Sequence, residues 1–318
     1  MGQHRYVGRM SGRRRAVPAA LAVIAASLVA AVALPAAVSQ EDGPDLQAMA
    51  LMPGDFAGGA AVANQGPLSA APPAVAGYER SFRPGARLAG RRLLTAQSSV
   101  FAFGDAATAT RELDAVRDAL GTSRGRRALG KAFAGGFKQG VKGKLKLRSV
   151  TVGKPVGLRL GQSAFRFALI LRTSVGRVEV GFAFVRVDQA NGILVLSAYP
   201  RAHLTGAPVT LAAARLAQHF QAAFTIRNVA SPTIVGTPQQ GQTLTADPGR
   251  WAGAPAAFSY QWNRCDAAGA TCTAIAGAVA QTYVLGPQDS TARITVTVKA
   301  ENSVSSSSIA SSPTAPVT

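Results

Sequence analysis

The stretch Tyr260-Gln-Trp-Asn-Arg-Cys265 decides the fold of the C-terminal part of this 318-residue chain. Its aromatic residues alternate with polar ones, as in a strand that buries one face. Cys272, the only other cysteine, follows after a gap short enough for a disulfide across a turn. Short strands rich in Thr, Ser and Val recur over residues 233–318 without any helical pattern, which predicts an all-β sandwich.

The N-terminus has the order of a secretory signal peptide, predicted over residues 1–39. Five arginines precede the uncharged apolar run Ala16–Leu34, and small residues at Ala37 and Ser39 then mark a cleavage site. The alternative is an uncleaved membrane anchor, because the run approaches the ~20 residues that span a bilayer. Arg14-Arg15 also permits twin-arginine export. Each of these interpretations predicts that the rest of the chain is exported.

Export decides how the two cysteines are interpreted. An oxidising compartment favours a disulfide over a metal site or a reactive thiol, so we expect Cys265 and Cys272 to be bridged. Closing this short loop stabilises the folded state by about 2.5 kcal/mol on the chain-entropy model.

Positive charge is concentrated in one part of the chain. The sequence has 34 Lys and Arg against 15 Asp and Glu, a net charge of +19. Residues 1–39 hold five arginines and no acid, which leaves 29 bases against 15 acids, or +14, in the rest. Residues 228–318 are neutral, with four of each sign, so the excess lies in residues 40–227. No acid occurs between Asp118 and Glu179, which indicates a basic surface.

Residues 40–227 are predicted to form an exported α+β domain, an antiparallel sheet with flanking helices. Apolar residues alternate along residues 164–173 and 177–187, and short connections at 174–176 and 189–192 predict hairpins. Further strands are expected at 93–103, 145–152 and 193–199, and helices are expected from Asp45, Asp105 and Pro208, with a basic helix-like segment at 124–142. Residues 53–77, rich in Gly, Ala and Pro, are predicted as a loop, with one strand as an option.

A linker is predicted at residues 228–232, and the part after it resembles a known family. The residues that carry the resemblance are Gly241-Gln-Thr-Leu-Thr245, Gly249-Arg-Trp251, the Trp262 strand, the Cys pair, Thr282-Tyr283, Asp289 and Val298-Lys-Ala-Glu-Asn302. Residues 232–318 look like the bacterial Ig-like repeat of secreted and surface proteins from high-GC Gram-positive bacteria. The resemblance implies an Ig-like sandwich with a spacer, presentation or adhesion role. Because Trp262 precedes both cysteines, the bridge is expected to staple one hairpin rather than join two sheets.

Residues 40–227 show a weaker resemblance. Leu51-Met-Pro-Gly-Asp-Phe56 and Tyr78-Glu-Arg-Ser-Phe82 are similar to uncharacterised exported domains of the same bacteria, and the layout resembles PsbP-like and lipoprotein sensor domains. The resemblance implies ligand or partner binding and supplies no catalytic residues.

The basic segment is the candidate binding site of the first domain. At 100° per residue, five cations fall within one sector of a helix, and apolar residues that include Phe133 and Phe137 lie opposite. The five are Arg124, Arg127, Lys131, Lys138 and Lys142. Such a face can bind an anionic cell-wall polymer or an anionic lipid surface. The alternative is an ordinary solvated helix face. Nucleic acid is not expected, because export removes the usual partner.

No catalytic set, cofactor motif or metal site is predicted. His203 and His219, the histidines beyond the signal segment, have no Cys, His or carboxylate at metal-ligand spacing. Trp262 is expected in the core rather than on a binding platform. No lipobox cysteine, sortase signal or C-terminal apolar span supports covalent attachment to the envelope.

The expected function is therefore that of a non-enzymatic secreted or envelope-associated protein, a binding or sensing domain carried with an Ig-like module. The alternative is a hydrolase of wall polymers or lipids with an accessory Ig-like domain. A polar pocket that holds His203 or His219 beside a carboxylate would favour the hydrolase.

Overall fold

The computed structural model describes residues 44–140, 146–198, 204 and 206–318. The predicted signal peptide lies outside these residues. The protein is mostly β, with several antiparallel sheets and few helices. It forms two compact units, one from Asp45 to Phe220 and the other from Gln221 to Thr318.

The first unit is built on a nine-stranded antiparallel sheet. Its strands are β1 (Val62–Pro67), β2 (Ala74–Phe82), β3 (Arg87–Leu88), β4 (Arg91–Phe103), β5 (Leu147–Val152), β6 (Val156–Leu158), β7 (Ser163–Thr173), β8 (Gly176–Val187) and β9 (Ala190–Ala198). The main order is β1-β2-β4-β9-β8-β7-β5, with β3 paired to β4 and β6 paired to β7. The antiparallel meander of β7, β8 and β9 agrees with the predicted alternation.

Four helices of the described residues accompany the sheet. They are α1 (Leu46–Met49), α2 (Ala106–Gly121), α3 (Ser123–Gly140) and α4 (Ala207–Ala223). Asp105 begins α2 as predicted, because its carboxylate accepts hydrogen bonds from the Thr108 amide at 2.6 Å and from the Thr108 hydroxyl at 2.9 Å. Helix α3 runs through most of the predicted basic segment.

One face of the sheet packs against α2 and α3. Phe165 stacks on Phe184 and Phe167 stacks on Phe182, each pair with ring centroids 4.8 Å apart. Leu113 and Leu120 of α2 and Phe133 and Phe137 of α3 join the same apolar cluster. Burial of this aromatic face stabilises the arrangement.

Helix α4 packs on the other face of the sheet, where two glycines make room for it. A Cβ at Gly192 would lie 2.6 Å from Leu216 Cδ2 and 2.8 Å from Phe220 Cζ. A Cβ at Gly181 would likewise collide with Val209 Cγ2. Because strand residues alternate between faces, their neighbours Phe182 and Asn191 lie on the face that packs against α2 and α3.

One local prediction for this unit was incomplete and another was wrong. Residues 53–77 contain a 3₁₀ turn at Pro53–Asp55, the whole of β1 and the start of β2. These strands form through hydrogen bonds to neighbouring strands, although their sequence lacks an alternating apolar pattern. The hairpin predicted at 189–192 turns at Asp188 and Gln189 instead. Asp188 takes the positive φ of 52° that the turn requires, so Asn191 and Gly192 remain in β9.

The second unit contains strands only, apart from a 3₁₀ turn at Pro287–Asp289 and the end of α4. Its strands are β10 (Arg227–Ala230), β11 (Thr233–Val235), β12 (Thr243–Asp247), β13 (Arg250–Ala252), β14 (Ala257–Cys265), β15 (Cys272–Ala274), β16 (Thr282–Val284), β17 (Arg293–Glu301) and β18 (Ser306–Ala310). They form sheets β10-β13, β11-β12-β16 and β15-β14-β17-β18. Most of the predicted linker at 228–232 lies in β10, which pairs with β13.

Trp262 occupies the core of this unit. Its side chain is fully buried, its indole N–H donates to the carbonyl of Ala280 at 2.9 Å, and its ring stacks on Tyr283 with centroids 5.7 Å apart. The surrounding cluster draws side chains from β12, β14 and β17. The expectation that Trp262 is a core residue agrees with these contacts.

The predicted disulfide is confirmed. Cys265 and Cys272 are bonded, and they are register partners on the adjacent antiparallel strands β14 and β15. The bridge therefore closes one hairpin.

Candidate functional site

Helix α3 borders two cavities of the first unit that differ in chemistry. Phe133 and Phe137 anchor the helix to the sheet, whereas Arg127 and Lys131 are exposed. One cavity is a basic groove between α3 and β5, and the other is an apolar cavity between α2, α3 and the sheet. The helix remains amphipathic despite its five glycines.

The basic groove has a volume of about 590 Å³. It is lined on the helix by Arg126, Arg127 and Lys131 and on the strand by Arg148, Ser149 and Thr151. None of its described lining residues is an Asp or Glu. Strand β5 is an edge strand of the sheet. Its outer edge faces the groove and pairs with no other described strand. The groove thus gathers cations, which bind phosphate-type oxygens.

Three of the four cations are available to a ligand. The side chains of Arg127, Lys131 and Arg148 have no ion-pair or hydrogen-bond partner within the described part of the chain. Arg126 differs, because its Nη1 donates 2.7 Å hydrogen bonds to the carbonyls of Leu120 and Gly121 at the end of α2. Arg126 therefore fixes the start of α3 and adds its charge to the groove.

The structure brings together part of the predicted cationic set. Arg127 and Lys131 line the groove, and Arg124 is exposed on the same helix without lining it. The side chain of Lys138 and all of Lys142 lie outside the described residues. Sequence reasoning missed Arg126, which falls outside the wheel sector, and Arg148, which lies on a strand. The one sequence feature that included both Arg126 and Arg148 was the stretch without Asp or Glu between Asp118 and Glu179.

The apolar cavity has a volume of about 480 Å³. Phe101, Phe167, Phe182 and Phe184 line its sheet side, and Leu113 and Leu129 belong to its helical side. Its polar lining residues are Glu112 and Asn191. The volume and lining are those of a small-molecule site. Nothing in the sequence pattern identified it, because its walls come from elements far apart in the chain.

His219 lies beside a carboxylate. Its Nε2 is 3.3 Å from Asp55 Oδ1, and both side chains are mostly buried. The hydrogen bond to Asp55 raises the pKa of His219 despite the opposing effect of burial. Burial acts to raise the pKa of Asp55, but hydrogen bonds from His219 and the Met52 amide outweigh it and lower that pKa. Neither residue lines the two cavities, so the pair links α4 to the 3₁₀ turn. His203 lies outside the described residues.

A second polar cluster surrounds Glu79 on β2. Gln97 Nε2 donates to its carboxylate at 2.7 Å, and Ser99 Oγ donates at 3.4 Å. Burial raises the pKa of Glu79 above its ordinary value, against the effect of these two donors. The donors satisfy the carboxylate within the sheet.

Comparisons with known proteins add no family to this description. No protein-family model matches the chain, and a search of curated proteins finds no match. Within residues 44–140, 146–198, 204 and 206–318, no group of three or more His, Cys, Asp or Glu side chains could hold a metal ion. No helix of the same residues is long and apolar enough to cross a membrane.

Proposed function

We propose that the first unit is a non-enzymatic binding domain that holds the protein to an anionic surface through the basic groove. The observation that carries the proposal is a set of three cations around one groove, Arg127, Lys131 and Arg148. Within the part of the chain that the structure describes, these cations have no partner and no carboxylate lines the groove. The surface that we propose it binds is a phosphate-bearing wall polymer or the headgroups of anionic lipid. Both present repeated phosphate oxygens, to which a fixed cluster of cations binds more strongly than scattered ones.

The second unit is proposed to be an Ig-like β-sandwich that spaces or presents the first. The core around Trp262, which draws on both the three-stranded and the four-stranded sheet, supports this fold. The neutral charge of residues 228–318 supports a carrier role, since these residues would neither attract nor repel an anionic surface. The first unit, a sheet with helices on both faces, is proposed to be an α+β domain.

The proposed location is outside the cell or on its envelope. The sequence order at residues 1–39 and the disulfide between Cys265 and Cys272 support export, because such bonds persist mainly in oxidising compartments.

Sedimentation of the purified full-length chain tests the proposed function. The chain is mixed in parallel with isolated cell walls and with phosphatidylglycerol vesicles, at about 0.01 M and about 1 M salt, where the Debye lengths are about 30 Å and 3 Å. We expect the chain to pellet with at least one surface at low salt and to be released at high salt. Failure to pellet with either surface, or pelleting that salt does not change, contradicts the proposal. The two surfaces tell a lipid headgroup from a wall polymer.

A further inference from the structure

We propose that the apolar cavity of the first unit binds a neutral, largely apolar small molecule that donates one hydrogen bond to Asn191. This site is separate from the basic groove and goes beyond surface binding. A cavity of about 480 Å³ takes a molecule of lipid-alcohol or polycyclic size, and the phenylalanines of β4, β7 and β8 supply the apolar contacts.

Asn191 carries an acceptor that the fold leaves unused. The residue is 6% exposed, and its Nδ2 donates a 2.8 Å hydrogen bond to the carbonyl of Ala109. This bond fixes the orientation of the amide, because a flipped amide would place Asn191 Oδ1 against the carbonyl oxygen of Ala109. Its Oδ1 is buried and has no hydrogen-bond partner among the described residues. A buried acceptor without a partner is costly, and a hydroxyl or N–H group of a ligand would satisfy it.

The charges around the cavity select a neutral ligand. Among the described residues that line it, Glu112 is the one charged residue, and none is a Lys or Arg. A fatty-acid carboxylate would therefore lose its water without gaining a cation. The helix α3 residues that line this cavity, Gly125 and Leu129, differ from those of the groove, so the groove cations do not offset this cost. An alcohol or a diarylamine N–H on an apolar body, both neutral at pH 7, fits these groups.

A pair of fluorescent probes tests the proposal on the purified full-length chain. N-phenyl-1-naphthylamine is neutral and apolar and has one N–H donor, whereas its N-methyl derivative lacks the donor. We expect the first probe to bind about fivefold more tightly, the effect of one net hydrogen bond. We expect Asn191→Leu to bind both probes equally. Equal binding of the two probes by the wild-type chain, or a preference that survives in Asn191→Leu, overturns the role of Asn191.

A second pair of variants locates the probe. Val116 lines the cavity and is 38% exposed, so Val116→Trp fills the space without removing a core contact. Val175, 43% exposed in the turn after β7, does not line it and provides the control Val175→Trp. We expect Val116→Trp to lose most of the probe binding and Val175→Trp to keep it. Equal binding by both variants would falsify the site.

Competition and charge variants complete the test. Dodecanol should displace the probe at a concentration at least about tenfold lower than dodecanoate, which a cavity without cations rejects. Stronger displacement by dodecanoate contradicts the neutral ligand. Arg127→Gln/Lys131→Gln should leave probe binding unchanged, so that failure of surface binding and failure of this site are told apart.

Discussion

Arg126 of helix α3 donates a 2.7 Å hydrogen bond from Nη1 to the carbonyl of Leu120 near the end of helix α2. The same nitrogen reaches the carbonyl of Gly121. These bonds join the two helices at the point where the chain turns between them, while the charge of Arg126 lines the basic groove. One side chain therefore holds the helix that carries the other groove cations.

Arg126 and Arg127 are expected to differ in their effects on stability although they are neighbours. Arg126→Ala leaves two helix-terminal carbonyls without their donor and should lower the free energy of unfolding by about 1 kcal/mol. Arg127→Ala removes an exposed cation without a partner and should change it by less than about 0.5 kcal/mol. Urea denaturation followed by circular dichroism measures both. Equal losses would contradict the role assigned to Arg126.

Gly181 is predicted to be required for the packing of helix α4. In Gly181→Ala the new methyl group collides with Val209, whose branched side chain has little freedom to move, so we expect a loss of about 1–3 kcal/mol. Gly135→Ala is the control, because a Cβ at this exposed position of α3 meets nothing within 4 Å. That variant should gain up to about 1 kcal/mol from helix propensity. The order of the two unfolding midpoints checks both expectations.

The pair of His219 and Asp55 should stabilise the protein within a limited pH range. The raised pKa of His219 contributes stability below its unfolded value near 6.5, and this is lost as the pH rises through the folded value. The lowered pKa of Asp55 contributes stability above about pH 4, which is lost as the pH falls. Arg215 also favours ionised Asp55.

Thermal melts of His219→Gln against wild type measure this effect. The difference in Tm should be largest between about pH 4 and pH 6.5 and should shrink on both sides. A difference that does not vary with pH would show that the variant acts through packing alone.

Removal of the disulfide should weaken the second unit. Cys265→Ser/Cys272→Ser opens the bridged hairpin loop and should lower the stability of this unit by about 2.5 kcal/mol. Both tryptophans of the chain, Trp251 and Trp262, lie in this unit, so their fluorescence reports its unfolding. Denaturation of the oxidised chain with and without reductant provides the matched comparison. Unchanged fluorescence midpoints would contradict the expected contribution.

Much of the secondary structure could be predicted because it follows local patterns. The alternation of Phe165, Phe167, Leu169 and Leu171 predicted β7, and the aromatic alternation before Cys265 predicted β14. Strands β1 and β2 were missed in part because their Gly- and Pro-rich sequence has no apolar period. Their formation depends on hydrogen bonds to residues distant in sequence, as in the pairing of Tyr78 with Val100.

The candidate sites were less accessible to sequence reasoning. A helical wheel identified Arg127 and Lys131 because both lie on one helix, but no single-element pattern places Arg148 of β5 opposite them. Asn191 next to Gly192 reads as a turn, and only the position of Asp188 at the real turn reveals it as a strand residue that lines a cavity. Sites made from several elements require the tertiary fold.

The most direct test of anionic-surface binding compares two variants with the same loss of charge. Arg127→Gln/Lys131→Gln removes two groove cations, and Arg83→Gln/Arg91→Gln removes two exposed cations that do not line the groove. At low salt, the groove variant should partition onto phosphatidylglycerol vesicles or cell walls about 30-fold more weakly than wild type. The control should lose much less. Equal losses in the two variants would show that net charge holds the protein to the surface, and would contradict binding through the basic groove.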